Sequence, residues 1–100
     1  ALQVLGDDYT RRGRFPDGLK IDEQIVKMRP SDPMAHYNLA CSYSLTRRTD
    51  LAALELDTAL RLGYRDFKWL AEDPDLENLR RDPVFKQIRA KIKTLKIKVH

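Results

Sequence analysis

The side chains that most often carry out chemistry are scarce in this 100-residue chain. Cys41 is the one cysteine, and His36 and His100 are the two histidines, so an activated thiol would need one of these two bases. His36 precedes Cys41 by five positions, which is a poor spacing for two ligands of one metal on a helix. We therefore interpret Cys41 as a small helix residue and predict neither catalysis nor metal binding around it.

A group of acidic residues, Asp73, Asp75 and Glu77, suggests either paired carboxylates for acid/base chemistry or a cation site. A calcium loop needs several oxygen ligands and a glycine at its turn, and neither is present here. Asp73 precedes Pro74, and Asp-Pro is typical of a helix start because Asp caps free N–H groups and Pro fits the first turn. Asp75 and Glu77 are then favourable first-turn charges. We predict a structural role for all three, and no cofactor.

Positive charge is concentrated at one end of the chain. Residues 1–79 carry 11 basic and 14 acidic side chains, whereas residues 80–100 carry 8 basic side chains and one acidic, Asp82. Such a segment could bind nucleic acid or anionic lipid, but few aromatic residues accompany the charges. Lysine near a helix C-terminus is also favourable in itself, so we favour a solvated face. The basic residues are Arg80, Arg81, Lys86, Arg89, Lys91, Lys93, Lys96 and Lys98.

Length and composition indicate one domain with a modest core. A single cysteine forms no internal disulfide, which suits a reducing compartment, and we expect a cytoplasmic location. No apolar run approaches the ~20 residues of a membrane span, and no signal peptide is visible. Because Ala1 is not a natural initiator, we expect the chain to be cut from a longer protein.

Helical punctuation dominates the sequence. Asp-Pro occurs three times, at Asp32-Pro33, Asp73-Pro74 and Asp82-Pro83, and we interpret each as a helix start. The glycines Gly13 and Gly63 are typical helix ends. No segment alternates with period two, so we predict an all-α fold. The first predicted helix runs from Ala1 to about Arg12, and the second from about Pro16 to Met28 with Leu19, Ile25, Val26 and Met28 inward. A third helix follows Asp32 and a fourth starts near Asp50. From Arg65 onward we predict two short helices and then a longer one.

The first helix pair and the second superimpose at a shift of 34 residues. At this shift Leu5 falls on Leu39, Tyr9 on Tyr43, Gly18 on Ala52 and Ile25 on Ala59. The side chains match in size or type at these four positions, and the predicted helix starts are separated by the same shift. This indicates an internal repeat.

These residues resemble the tetratricopeptide repeat family. The first repeat contains Leu2, Leu5-Gly6, Tyr9, Gly18, Asp22, Ile25 and Pro30, and the second contains His36, Leu39-Ala40, Tyr43, Ala52, Leu56 and Ala59. The resemblance implies an α-α superhelix, with two helix-turn-helix repeats at 1–32 and 33–64 and capping helices at 65–100. Small residues such as Ala40 and Ala52 are needed where two helices cross closely.

Two residues depart from the family pattern. Asp22 stands where a large aromatic residue is preferred, and we expect it to loosen the second helix of the first repeat. Tyr64 replaces the closing proline, which suits an array that ends there. A terminal repeat needs a cap over its apolar face. We expect the cover to come from Trp69, Leu70, Leu76, Leu79, Phe85 and Ile88.

The resemblance also implies a function, because the family binds ligands along the first helix of each repeat. We expect a protein-interaction scaffold without catalysis of its own, in which Tyr37 anchors a peptide or partner protein. The alternatives are an accessory C-terminal domain of a larger enzyme, or a basic tail that binds nucleic acid or anionic lipid. The predicted groove residues are Gln3, Asp7, Thr10, Met34, Tyr37, Asn38, Cys41 and Ser44.

One subgroup of the family clamps the C-terminal carboxylate of chaperones with asparagine and basic residues. Asn38 matches that pattern, but Gln3 stands where lysine is wanted and Asp7 where asparagine is wanted. The resemblance therefore argues against a chaperone tail as the partner. The apolar face of the first helix is a candidate for self-association.

Overall fold

A computed structural model describes residues 15–98, and all of their regular secondary structure is helical. The prediction of an all-α fold is confirmed for these residues, while the first predicted helix, Ala1 to Arg12, lies outside them. No helix in the described range is long and apolar enough to cross a membrane. The elements are α1 (Phe15–Met28), α2 (Pro33–Leu45), α3 (Thr49–Arg61), α4 (Phe67–Glu72), a 3-10 helix (Pro74–Leu76), α5 (Glu77–Arg81) and α6 (Phe85–Lys98).

Each Asp-Pro pair opens a helical segment, as predicted. The Asp32 carboxylate accepts from the Met34 amide at 2.9 Å, and Asp73 accepts from the Asp75 amide at 3.0 Å. Asp82 accepts from the Val84 amide at 3.0 Å, in the turn before α6 begins. These side chains satisfy N–H groups that have no partner within the helix.

Gly63 ends α3 with a φ of +116°, a left-handed conformation that glycine adopts without steric cost. The chain then turns back, and the Tyr64 amide donates to the Ala59 carbonyl at 2.9 Å. This turn directs Tyr64 inward, where it is buried.

The core is built on the hairpin of α2 and α3, with α1 packed on α2. Ala40, Ala52 and Ala59 are fully buried, which allows the helices to approach closely. Leu39 and Tyr43, two residues of the repeat pattern, are buried. The helices α3 and α6 begin at residues 49 and 85, 36 residues apart, so a spacing of about one repeat continues into the predicted cap.

The C-terminal segments pack on this hairpin and share its core. The 3-10 helix contacts α2, and α6 contacts α3. Five of the six predicted capping residues are buried, namely Leu70, Leu76, Leu79, Phe85 and Ile88.

Three packing predictions are wrong. Trp69 is 46% exposed, because the short helix α4 turns the neighbouring Leu70 inward. Met28 is 65% exposed at the end of α1, one turn beyond the buried Ile25. Asp22 does not loosen its repeat: it is buried and accepts a hydrogen bond from Ser42, which links α1 to α2.

Candidate functional site

The predicted groove face of α2 is covered by the cap. Tyr37 is 2% exposed, and Cys41 and Ser44 are also buried. Of the other predicted residues on this helix, Met34 is exposed and Asn38 is half-buried. Tyr37 is therefore not available as the exposed anchor that the sequence predicted. Gln3, Asp7 and Thr10 lie outside the described residues.

Tyr37 instead belongs to a buried polar cluster with Asp73, Cys41 and Tyr64. Its hydroxyl donates to an Asp73 carboxylate oxygen at 2.6 Å, and the Cys41 thiol donates to the same oxygen at 3.7 Å. The rings of Tyr37 and Tyr64 are stacked, with centroids 4.4 Å apart. A single carboxylate thus caps the 3-10 helix and joins it to α2.

The side chains of this cluster are unreactive. Burial raises the pKa of Tyr37 and of the Cys41 thiol far above their ordinary values, because the charged forms would lose their hydration. Both groups therefore stay protonated as donors, and Cys41 lacks the thiolate that a nucleophile needs. Cys41, Asp73 and Asp75 bring possible metal-ligand atoms within 4.8 Å of one another. The donors Tyr37, Cys41 and the Asp75 amide account for the Asp73 oxygens without a cation.

Other polar side chains of α2 also have protein partners. Ser44 accepts from the Leu79 amide at 3.1 Å through its hydroxyl and from the Asn78 side-chain amide at 3.0 Å through its carbonyl. His36 is held at 2.7 Å by both Glu55 and the Pro30 carbonyl. The Ser44 bonds position the cap on α2, whereas the His36 bonds link α2 to α3 and to the turn before α2. Among the described residues, these polar groups of α2 form no reactive constellation.

An open cleft lies instead within the cap, between α4, α5 and α6. Its volume is about 340 Å³. Apolar side chains form the floor, where Leu70 and Phe85 are buried and Phe67 and Ile92 are half-buried. Basic side chains form the rim. We call it the cap cleft and define it by Phe67, Leu70, Ala71, Arg80, Phe85, Arg89, Ile92, Lys93 and Lys96.

The four rim cations are placed by helical spacing and by local contacts. Arg89, Lys93 and Lys96 follow one another at intervals of four and three residues, which puts them on one face of α6. Arg89 lies over the Phe85 ring at 5.0 Å, and Lys96 lies over the Phe67 ring at 5.7 Å. Arg80 donates to the Leu70 carbonyl at 3.0 Å, so it is fixed across the end of α4.

No carboxylate belongs to the nine residues of the cap cleft. Other cations of the C-terminal segments behave differently, since Lys91 pairs with Asp57 of α3 and Arg81 pairs with Glu77 at 3.0 Å. Within residues 15–98, none of the four rim cations forms an ion pair. The cap cleft is therefore a concentrated positive site above an apolar surface.

Sequence reasoning missed this site because it treated the basic residues as one solvated face. The signal that could have found it is the spacing of Arg89, Lys93 and Lys96 along the same face as Phe85 and Ile92. A helix face that combines cations with apolar residues has its charges directed over an apolar floor and not only into solvent.

Comparison with known proteins shows a similarity that extends over most of the chain. The chain is 35% identical over 89 residues to a chloroplastic protein of Arabidopsis thaliana, an alignment that covers 82% of the chain and 27% of that protein. The chain thus spans about a quarter of the length of this relative. No family model matches the chain, and no solved structure matches it. The chloroplast location in the relative's name gives no support to the cytoplasmic location expected from the sequence.

Proposed function

We propose that the chain is the terminal part of a tetratricopeptide-type helical array and acts as a protein-interaction module without catalysis of its own. The repeat shift of 34 residues and the starts of α3 and α6 at residues 49 and 85 support the array. In this arrangement α6 takes the place of the second helix of a further, shortened repeat. Such terminal repeats need a cover, which the buried cap residues provide.

The observation that carries the proposal is the cap cleft. It offers apolar area for burial and four cations for orientation, the two contributions that a site for an extended protein segment needs. The predicted groove face of α2 offers neither, because Tyr37, Cys41 and Ser44 are buried beneath the cap. We therefore move the proposed binding surface from α2 to the face shared by α4, α5 and α6.

Affinity capture with matched variants tests this proposal. The 100-residue chain is immobilised as wild type, as Arg89→Gln/Lys93→Gln, and as Lys20→Gln/Lys86→Gln. Both double variants lose two exposed cations, but Lys20 and Lys86 do not line the cap cleft. We expect proteins that bind wild type and the Lys20/Lys86 variant and are lost with the Arg89/Lys93 variant, because only the latter removes charge from the cleft.

Equal capture by all three proteins would contradict the proposed function. Equal loss with both double variants would show that overall charge, and not the cleft, holds the captured proteins. Melting temperatures of the variants, followed by circular dichroism, must match the wild type for either outcome to count.

A further inference from the structure

We infer that the cap cleft binds an acidic protein segment that carries a large apolar side chain among its carboxylates. This inference rests on the proposed function and specifies the chemical class of the partner. It follows from three properties of the cleft, namely the sign of its rim, the size and character of its floor, and the contacts already made by its rings.

The rim selects negative charge. Arg80, Arg89, Lys93 and Lys96 converge on one opening, and no carboxylate among the lining residues balances them. Their mutual repulsion is relieved when an acidic segment enters, whereas a basic segment would add to it. The guanidinium groups of Arg80 and Arg89 also favour carboxylates, since a planar fork matches two carboxylate oxygens.

The floor requires more than charge. Ile92 and the exposed part of Phe67 present apolar surface, with the buried Leu70 and Phe85 beneath them, in a cavity of about 340 Å³, near the lower end of the usual range for ligand pockets. A cavity of this size suits one or two large side chains and not a whole folded element. An aromatic or branched aliphatic residue of the partner would bury its surface there while flanking carboxylates meet the rim.

The ring contacts argue for a protein segment over nucleic acid. Single-stranded nucleic acid gains affinity by stacking bases on exposed aromatic faces. In the cap cleft the Phe85 ring already lies beneath the Arg89 guanidinium, and the Phe67 ring lies beneath the Lys96 ammonium group. Phe85 is also buried, so its face is not open to a base. An acidic peptide uses the same cations without displacing them from the rings.

A defined peptide tests the inference. The probe is a fluorescein-labelled peptide with a central phenylalanine flanked on each side by three glutamates, titrated with the 100-residue chain and followed by fluorescence anisotropy. We expect saturable binding that weakens about tenfold for Arg89→Gln/Lys93→Gln, since an exposed ion pair contributes up to about fivefold. Binding should change less than about twofold for Lys20→Gln/Lys86→Gln, and it should weaken as salt rises and shortens the screening length.

Two peptide controls and one protein variant separate charge from apolar contact. Replacing all glutamates by glutamines should abolish binding, and replacing the phenylalanine by alanine should weaken it. Ala71→Trp fills the cleft from an exposed position without removing a charge, so it should also block the phenylalanine peptide. Insensitivity to Ala71→Trp and to the loss of phenylalanine would overturn the role given to the floor.

The remaining outcomes decide between this inference and its competitors. Absence of peptide binding, or equal loss with both double variants, overturns the acidic-segment inference. Cleft-dependent binding of single-stranded DNA or of phosphatidylserine vesicles in place of the peptide would assign the rim to another class of anion. If captured proteins still depend on Arg89 and Lys93 while the peptide fails, the proposed function stands and only the partner class is wrong.

Discussion

Two helices of this molecule, α2 and α6, have similar lengths and opposite relations to solvent. In α2 nine of 13 residues are buried, including the polar Ser42 and Ser44. In α6 only Phe85 and Ile88 are buried among the described side chains, and most of its cations are exposed. The sequence suggested the reverse functional assignment, with α2 as the ligand-binding helix and α6 as a solvated tail.

The comparison teaches that polar residues on a helix do not by themselves mark an exposed face. Every buried polar group costs free energy unless it finds a partner, and the polar groups of α2 find partners in α1 and in the cap. Ser42 bonds to Asp22, Tyr37 to Asp73, and Ser44 to Leu79 and Asn78. In α6 Lys91 pairs with a carboxylate, whereas the rim cations have no such partner within residues 15–98 and remain available to a ligand.

Truncating one apolar side chain in each helix tests this contrast with the largest expected effect. Leu39 of α2 is 4% exposed and Ile97 of α6 is 65% exposed. Leu39→Ala should lower the free energy of unfolding by roughly 2–5 kcal/mol, because it removes buried contacts and leaves a cavity. Ile97→Ala should change it by less than about 0.5 kcal/mol. Chemical denaturation of both variants measures the difference, and equal losses would mean that the two helices are buried to a similar extent.

Most of the fold could be predicted from local signals. The Asp-Pro pairs at Asp32, Asp73 and Asp82, together with Gly63, fixed the helix boundaries because capping and left-handed turns depend on a few adjacent residues. Leu39 and Tyr43 followed from the repeat pattern, and the apolar cap residues followed from the need to cover the last repeat. The prediction that Trp69 is buried was wrong because α4 is only six residues long. So short a helix shows too little periodicity to tell the inward Leu70 from the outward Trp69.

Less of the candidate site could be predicted, because it depends on contacts distant in sequence. Asp73 and Tyr37 are 36 residues apart, and only the folded cap brings them to hydrogen-bond distance. The same holds for Arg80 and Lys96, which meet at the cap cleft from different helices. The capping role of Asp73 was predicted correctly, yet its second role as acceptor for Tyr37 leaves no local signal.

Removing the Tyr37 hydroxyl tests the buried polar contacts of α2, with an expected loss of stability smaller than that of Leu39→Ala. Tyr37→Phe keeps the ring stacked on Tyr64 but deprives the buried Asp73 oxygen of its closest donor. We expect a loss of about 1–3 kcal/mol in the free energy of unfolding, since a buried acceptor is left without that bond. Peptide binding at the cap cleft should be unchanged once the variant is folded, because Tyr37 does not line the cleft.

Tyr43→Phe is the matched control for this experiment. The Tyr43 hydroxyl donates to Glu23 at 3.1 Å in a less buried setting. Water can replace the lost bond there, so we expect a smaller loss in the free energy of unfolding. Loss of partner binding with Tyr37→Phe at unchanged stability would restore Tyr37 as a ligand anchor. It would also require the cap to open over α2.

The junction between α3 and α6 provides the smallest expected effect, and it depends on pH. Asp82 accepts from the Val84 amide at 3.0 Å and from the Thr49 hydroxyl at 2.7 Å. These bonds favour the carboxylate and lower the pKa of Asp82 below its ordinary value, the amide contributing more than the hydroxyl. Because the folded-state pKa is the lower one, the stabilisation is present in full above the unfolded-state pKa of about 3.9 and is lost as the pH falls through the folded-state value.

The free energy of unfolding of wild type and Asp82→Asn, measured between neutral and strongly acidic pH, tests this linkage. The wild type should be the more stable protein at neutral pH, and the difference should shrink steadily below about pH 4, where the unfolded-state carboxyl takes up its proton. Thr49→Val keeps the carboxylate and its amide donor, so it should retain most of the acid dependence while losing one hydroxyl bond. If the difference in unfolding free energy between wild type and Asp82→Asn were independent of pH, the charge of Asp82 would contribute nothing to stability. The attachment of α6 to α3 would then rest on apolar packing by Phe85 and Ile88.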